Sequence, residues 1–422
     1  MQIDASPTKE FFIEMLTRDI PLDRAILDLI DNSVDAAQSN EVANPEVRLT
    51  LNKDEFLISD NCGGIPENVA KEYAFRFGRP KERENTPFSV GQFGVGMKRT
   101  LFKLGNQFEV KSNHNNSAFS VNVDVQDWKD LNEWKFNFQE LAEREIPNGT
   151  TQILVQDLFA SVSEQFDLDN FIYQLGSECS IAHFKAINNG LKIFINDQLV
   201  DNFEIKLKTS DSLTPIRNEF EKSEVKVTLT AGISERKLKE GGWYIVCNGR
   251  LIAAAEQTPI TGWRHDGIPQ YHPDYAYFRG VIEFDADNSS FLPWTTTKTG
   301  VDKDNPVYKA ALFEMKKAMR EVIPFLRARA KEDKDFKDDM IDSKPLNSAI
   351  EEAEMLLTGE IPNNISFKYP ETAERKVRAT EATIQYKVPL DQLNTVKKSL
   401  GVATNYEVGQ ETFNYYIEYE CK

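Results

Sequence analysis

At 422 residues with 40% hydrophobic content, the chain is long enough for two or three domains with real cores. Its net charge of −17 sets most of the surface against nucleic acid, because sequence-independent binding comes from lysine and arginine on phosphates, although local basic clusters leave room for contact. No apolar run approaches the roughly 18 residues of a membrane span, and Asp4, Lys9 and Glu10 interrupt any secretory core, while Cys62, Cys179, Cys247 and Cys421 form no Cys-x-x-Cys pair; the composition reads as cytoplasmic, without a disulfide framework or zinc ribbon.

In chain order, Met1 to Thr17 comes first, an apolar segment with Phe11, Phe12, Ile13 and Leu16 that either packs on its own domain or reaches a second molecule. Apolar residues at 22, 26, 29, 30 and 34 then predict a helix with one buried stripe. Asp28 and Asn32, four residues apart, share a face of that helix, where a carboxylate and an amide oxygen converge on one water and one Mg²⁺; a solvated acidic face is the plain alternative. Phe56 to Ser59 reads as a strand running into Asp60, and Gly63-Gly64 behind it as a tight turn where the backbone approaches a planar ligand. A carboxylate at a strand end accepts a hydrogen bond from an exocyclic amine such as that of adenine. Gly91, Gly94 and Gly96 precede a predicted helix from Val95 to Leu104, whose N-terminal N–H groups suit phosphates. These glycines lack both the strand-first setting of a dinucleotide fingerprint and the Gly-Lys-Ser/Thr ending of a P-loop.

Further along, Gly149 to Phe159 reads as a strand, and Gly241 to Ile252 as a β-rich run with an Asn-Gly turn. Leu292 to Gly300 is a loop carrying Lys298. Asn305 to Lys331 has helical periodicity, with Pro324 expected to kink or interrupt it. Lys331 to Asp339 reads as a solvated hinge or helix end, and Ser348 to Thr358 as a short acidic helix. In the tail, β-like runs at Thr383 to Val388 and Thr404 to Tyr419 flank a predicted helix at Leu390 to Leu400. Positive charge gathers at Arg76 to Arg83 and from Lys316 to Lys331, the latter read as a solvated helix face; His265 and His272 read as structural or surface histidines.

Taken in order and spacing, Asp28 to Ala36, Asp60 to Ile65 and Gly91 to Lys98 resemble the GHKL ATPase superfamily of DNA gyrase B, the heat-shock chaperone ATPases, sensor histidine kinases, MutL and MORC proteins. Gly91-Gln92-Phe93-Gly94-Val95-Gly96 resembles the chaperone lid motif, whereas Asp31 to Ala36 and the ending at Lys98 look more like MORC or MutL. Gly149 to Phe159 is similar to the MutL strand that closes the pocket, and Gly241 to Ile252 and Leu292 to Gly300 are similar to the transducer segments of MORC and MutL relatives.

The resemblance implies an α+β fold: a GHKL (Bergerat) ATP-binding α/β sandwich over 1–158, a right-handed βαβ transducer over 159–302, a helical, charged connector over 303–345 and a C-terminal α/β region over 346–422. It implies ATP and Mg²⁺ as ligands. Asp28 would activate the attacking water, Asn32 would ligate Mg²⁺, Asp60 would read the adenine amine, and Gly64 and Thr150 would lie near the base. Gly91, Gly94, Val95, Gly96 and Lys98 would hold phosphates under a lid of roughly Arg76 to Phe93, and Lys298 would reach the γ-phosphate. Asp28 departs from the family's glutamate by one methylene, drawing the carboxylate back by about 1 Å and predicting slow hydrolysis. The implied protein is an ATP-gated homodimer acting on DNA or in defence against foreign DNA; a chaperone-like or scaffolding protein with a protein client, or a nucleotide-sensing module with little turnover, are the alternatives.

Overall fold

Thr8 caps the first helix, its hydroxyl accepting the Phe11 N–H, so α1 (Lys9–Thr17) starts where the sequence turns apolar. Lys9 pins this helix to its own domain: buried Nζ donates to the carbonyls of Trp128 (2.6 Å), Leu131 (2.6 Å) and Glu133 (2.9 Å). The computed structural model describes residues 7–78, 86–91, 94–142, 145–376 and 383–421. Residues 79–85 of the expected lid, with most of the basic cluster at 76–83, therefore fall outside the described residues, as do Gln92 and Phe93 of the lid motif and the first six residues of the N-terminal segment.

After α1 come α2 (Leu22–Ser39), β1 (Glu46–Leu51), β2 (Glu55–Asp60), α3 (Glu67–Val69), α4 (Gly96–Leu104), β3 (Gly105–His114), β4 (Ser117–Asp124), α5 (Val125–Asp130), β5 (Asn137–Leu141) and β6 (Thr150–Leu158). Then follow α6 (Ala160–Phe166), α7 (Asp169–Ala182), α8 (Phe184–Asn188), β7 (Lys192–Ile195) and β8 (Gln198–Leu199). The strands form an 8-stranded sheet in the order β5-β4-β3-β6-β2-β1-β7-β8, with β1 parallel to β7. Period-two alternation aims Val47, Leu49, Phe56, Ile58, Val110, Ile153 and Val155 at one face, where they join apolar residues of α2, α4, α6 and α7 in one core. That core runs on to Val200, past the expected boundary at 158, because β7 extends the sheet beside β1.

The second layer contains β9 (Lys206–Thr209), β10 (Ile216–Lys222), β11 (Val225–Ile233), β12 (Gly242–Cys247), β13 (Arg250–Glu256) and β14 (Phe278–Asp285). Its 5-stranded sheet has the order β10-β11-β14-β12-β13, with β12 parallel to β14. Asn248 and Gly249, both at positive φ (45° and 78°), turn β12 into β13. Every residue of β12 is buried because the sheet is covered twice. Tyr244 and Val246 face Phe184 of α8, while Trp243, Ile245 and Cys247 join the core built with α9 (Pro306–Lys337).

Helix α9 opens on Asn305, whose Oδ1 accepts the N–H groups of Val307 (2.8 Å) and Tyr308 (3.3 Å), with Pro306 at the first helical position. It continues through Pro324, against the expected interruption, its apolar stripe held on the second sheet. The stretch from Lys331 is likewise not a solvated hinge. Glu332 and Asp335 are buried, and the Glu332 carboxylate accepts from Leu346 N (3.0 Å), Asn347 N (2.9 Å) and Asn347 Nδ2 (2.7 Å), capping α10 (Pro345–Glu352). Arg329 is also buried, against Asp333 (3.0 Å) and the Tyr277 ring, rather than on a solvated face. β15 (Glu354–Leu357) pairs with β9, and Ile365 and Lys368 bridge to Arg217 and Thr214, so residues 346–373 belong with the second sheet.

Residues 374–422 form a separate unit. It contains α11 (Leu390–Leu400) and α12 (Asn405–Glu420). The expected strand from Thr404 to Tyr419 is thus a helix. A capping box decides it: Thr404 Oγ1 accepts the Glu407 N–H (3.1 Å) while Glu407 Oε2 accepts the Thr404 N–H (2.8 Å). Thr383 to Val388 makes no strand pairing among the described residues, so the expected α/β character of the C-terminal region is not seen there.

Glu332→Ala leaves the first N–H groups of α10 unsatisfied in a buried setting, and its expected cost is about 1–3 kcal/mol, read as a lowered midpoint in urea unfolding.

Candidate functional site

Helix α2 brings Asp28, Asn32 and Asp35 to one face by i, i+4, i+7 spacing, and all three line a cavity of about 390 Å³ bounded by β2, β6 and the N-terminus of α4.

At one end stands Asp60. Its Oδ2 accepts Ser33 Oγ–H (2.7 Å) and its Oδ1 accepts Cys62 N–H (2.9 Å), while burial raises the carboxyl above its ordinary value. The following turn needs glycine. Gly63 and Gly64 have φ of +113° and +73°, and a Cβ on Gly64 would collide with the Asn113 carbonyl oxygen. The turn is tied down by Gly63 N–H to Gly149 O (2.8 Å), Gly149 N–H to Asn113 O (2.8 Å) and Ile65 N–H to Ser112 Oγ (2.7 Å).

The opposite end is built from charge. Helix α4 begins at Gly96, and its N-terminus lies against Asp28 so closely that a Cβ on Gly96 would sit 3.2 Å from the Asp28 Cβ. Thr100 Oγ1 fixes this approach by donating to Ala25 O of α2 (2.5 Å). Arg99 Nη2 pairs with Asp28 Oδ2. Lys298, from the loop after β14, is held at φ +53° and buried, with Nζ 3.2 Å from Asp28 Oδ1 and 2.6 Å from Asp31 Oδ2. Asp31 also accepts Arg250 Nε (2.8 Å) and His183 Nε2 (2.8 Å) on Oδ1. Burial alone would lower the Lys298 pKa, but Asp31 and then Asp28 raise it above the usual lysine value. Burial would likewise lift the Asp31 carboxyl, yet Arg250, Lys298 and His183 hold it well below its usual range. His183 is pushed down by burial and Arg250, so it sits neutral and donates from Nε2. Asp35 accepts the N–H groups of Val90 and Gly91 (2.7 Å each), and burial pushes its carboxyl up to about 6.

Of the residues singled out in the sequence, Asp28, Asn32, Asp60, Gly64, Gly91, Gly94, Val95, Gly96, Lys98 and Lys298 all line the cavity. Thr150 does not. Strand alternation turns Thr151 inward instead, opposite Asp60 and Ser112, with Thr151 Oγ1 3.0 Å from Ser112 Oγ. Lys98 is buried and donates from Nζ to Ala74 O (2.8 Å). Ser33, Asp35, Arg99 and the Asp31–Arg250–His183 group were missed. Asp35 was legible as the next turn of the Asp28/Asn32 face; Arg250 and His183 join the site only through tertiary contacts with no local sequence signal.

Asn32 is the residue that fits Mg²⁺: its amide faces the cavity and takes no hydrogen bond from any described residue. A single amide oxygen suits an ion that shares its shell with phosphate and water.

Residues 20–157 match the family model described as "Histidine kinase-, DNA gyrase B-, and HSP90-like ATPase". No curated protein matches the chain. No helix among the described residues is long and apolar enough to cross a membrane.

Gly64→Ala is expected to lower nucleotide affinity at least about tenfold, measured by calorimetry, because both φ and the Asn113 carbonyl exclude a side chain. Asp35 has a folded pKa above its unfolded one, so its stabilising contribution is full below about pH 4 and disappears as pH rises through about 6. The stability of the wild type relative to Asp35→Asn should therefore fall across that window, by up to about 3 kcal/mol in denaturant titrations at fixed pH.

Proposed function

We propose, from the match of residues 20–157 to the histidine kinase-, DNA gyrase B- and HSP90-like ATPase family, that the chain is an ATP-hydrolysing conformational switch in which the second sheet senses the γ-phosphate. The observation that carries the proposal is Lys298: it leaves the second layer, enters the cavity of the first and lies against two carboxylates of α2 at the phosphate end.

In this reading Asp60 accepts the adenine amine and the Gly63-Gly64 turn brings backbone against the base. The N-terminus of α4, with Gly91, Gly94, Val95 and Gly96, receives the phosphates, where N–H groups and the helix dipole favour negative charge. Asn32 would hold Mg²⁺, which neutralises charge on the phosphates when bound. Lys298 supports the γ-phosphate and so ties ATP, rather than ADP, to the second sheet. Asp28 orients the attacking water as general base. Both of its oxygens are already paired, with Arg99 and Lys298, and it is a methylene shorter than glutamate, which favours slow turnover. The same observation supports the second reading, a nucleotide-sensing module that turns over little ATP.

Closure on ATP into a homodimer follows the MORC and MutL resemblance, and DNA is the client that resemblance points to. A protein client is the alternative, favoured by the net charge of −17. Salt-dependent DNA retention by the ATP-bound protein separates them, since counterion release makes phosphate contacts fall with salt.

The test is Mg²⁺-dependent ATP turnover, with Asp28→Asn and Asn32→Ala beside the wild type. Wild-type turnover that drops at least about 100-fold in Asp28→Asn while ATP still binds supports the switch. ATP binding without turnover in the wild type selects the sensing module, and absence of ATP binding contradicts both.

A further inference from the structure

We propose that Arg250 is a positioning residue for Lys298, acting through Asp31; the proposal rests on the γ-phosphate role given to Lys298 above. Asp31 is fully buried one helical turn beyond Asp28, and its two oxygens divide their work. Oδ2 holds Lys298 at 2.6 Å, and Oδ1 holds Arg250 Nε and His183 Nε2, each at 2.8 Å.

Two of the three Lys298 donors are committed, to Asp28 and Asp31, so a full charge-assisted contact with a phosphate draws Nζ off the shorter of these bonds, the one to Asp31. A buried carboxylate stripped of its cation is strongly destabilised, so such a transfer needs a second positive charge already on Asp31. Arg250, which stays charged at any working pH and already lies 2.8 Å from Asp31 Oδ1, supplies it. Its guanidinium is itself fixed, with Nη1 donating to the Leu251 carbonyl (2.9 Å), and it lies just past the Asn248-Gly249 turn. That turn is anchored in its own right: Asn248 Nδ2 donates to Ser89 O and Ala286 O (3.1 Å each), and the residues after Ser89 donate to Asp35. Arg250 therefore stays in place when Lys298 moves. With Arg250, Asp28 and Asp31 face three cations, Arg99 being the third, and Lys298 is the one on a loop. Without Arg250, Lys298 becomes the only cation on Asp31 and is retained there.

The experiment measures ATP and ADP affinities by calorimetry with saturating Mg²⁺, for wild type, Lys298→Gln, Arg250→Gln, Arg250→Lys and the double variant Lys298→Gln/Arg250→Gln. Affinities need no turnover, and ADP lacks the group Lys298 would touch. Lys298→Gln should lower the ATP:ADP affinity ratio about tenfold or more with ADP binding unchanged, as expected for a lost charge-assisted contact. Arg250→Gln should lower the same ratio about fivefold or more, again with ADP binding unchanged, and the double variant should be no worse than Lys298→Gln alone. Arg250→Lys, which keeps the charge, should hold the ratio within about threefold of wild type and carries the test if the glutamine variant does not fold. The proposal is overturned if Arg250→Gln keeps the wild-type ratio while Lys298→Gln loses it, if ADP affinity falls as much as ATP affinity, or if the two substitutions add in the double variant. A ratio unchanged in Lys298→Gln would overturn the γ-phosphate role and this proposal with it.

Discussion

The Asp31 carboxylate, with no exposed surface, takes donors from three distant parts of the chain: His183 after α7, Arg250 at the start of β13, and Lys298 in the loop after β14. A buried charge is tolerated only when its partners are all in register, and losing one partner of such a group typically costs about 3–5 kcal/mol. The apolar contact of Tyr244 and Val246 with Phe184 brings the second sheet near α7 and α8, but non-directional burial leaves sliding possible. Directional bonds to Asp31 remove that freedom. They place the second sheet relative to α2, and hence Lys298 relative to Asp28.

This arrangement ties the energetics of the fold to the chemistry proposed for the cavity. Asp28 is shielded by Gly96 from one side and paired with Arg99 and Lys298 from the other, an arrangement that holds its carboxylate still and also occupies it. A base so engaged has lost part of its availability to water, while the cations around it favour incoming phosphate. Under the proposed function, such a site suits binding and sensing a nucleotide better than fast hydrolysis. The cap of Val90 and Gly91 on Asp35 extends the same network toward the phosphate-side glycines.

Local pattern carried much of this. Helical spacing exposed the Asp28/Asn32 face, and glycine clusters marked the two turns where backbone must approach a ligand, Gly63-Gly64 and Gly91 to Gly96. Strand parity was the weak point: Thr150 and Thr151 are equally polar, and only pairing with β2 and β3 decides which faces inward. The tail shows the competing rule. Alternating Phe413, Tyr415 and Ile417 suggested a half-buried strand, yet all three are exposed on a helix whose start was written in Thr404 and Glu407. Glu332 and Arg329 were hidden for another reason, since a charged run looks solvated until its long-range partners are known. Arg250 and His183 could not be found from spacing, lying 219 and 152 residues from Asp31.

The most direct measurement is a crystal structure of the protein with Mg²⁺ and a non-hydrolysable ATP analogue. The account predicts triphosphate at the N-terminus of α4, Lys298 Nζ within hydrogen-bond distance of a γ-phosphate oxygen, and Arg250 still paired with Asp31. Triphosphate in the cavity with Lys298 still on Asp31 and Asp28, or Arg250 leaving Asp31 together with it, would contradict the account.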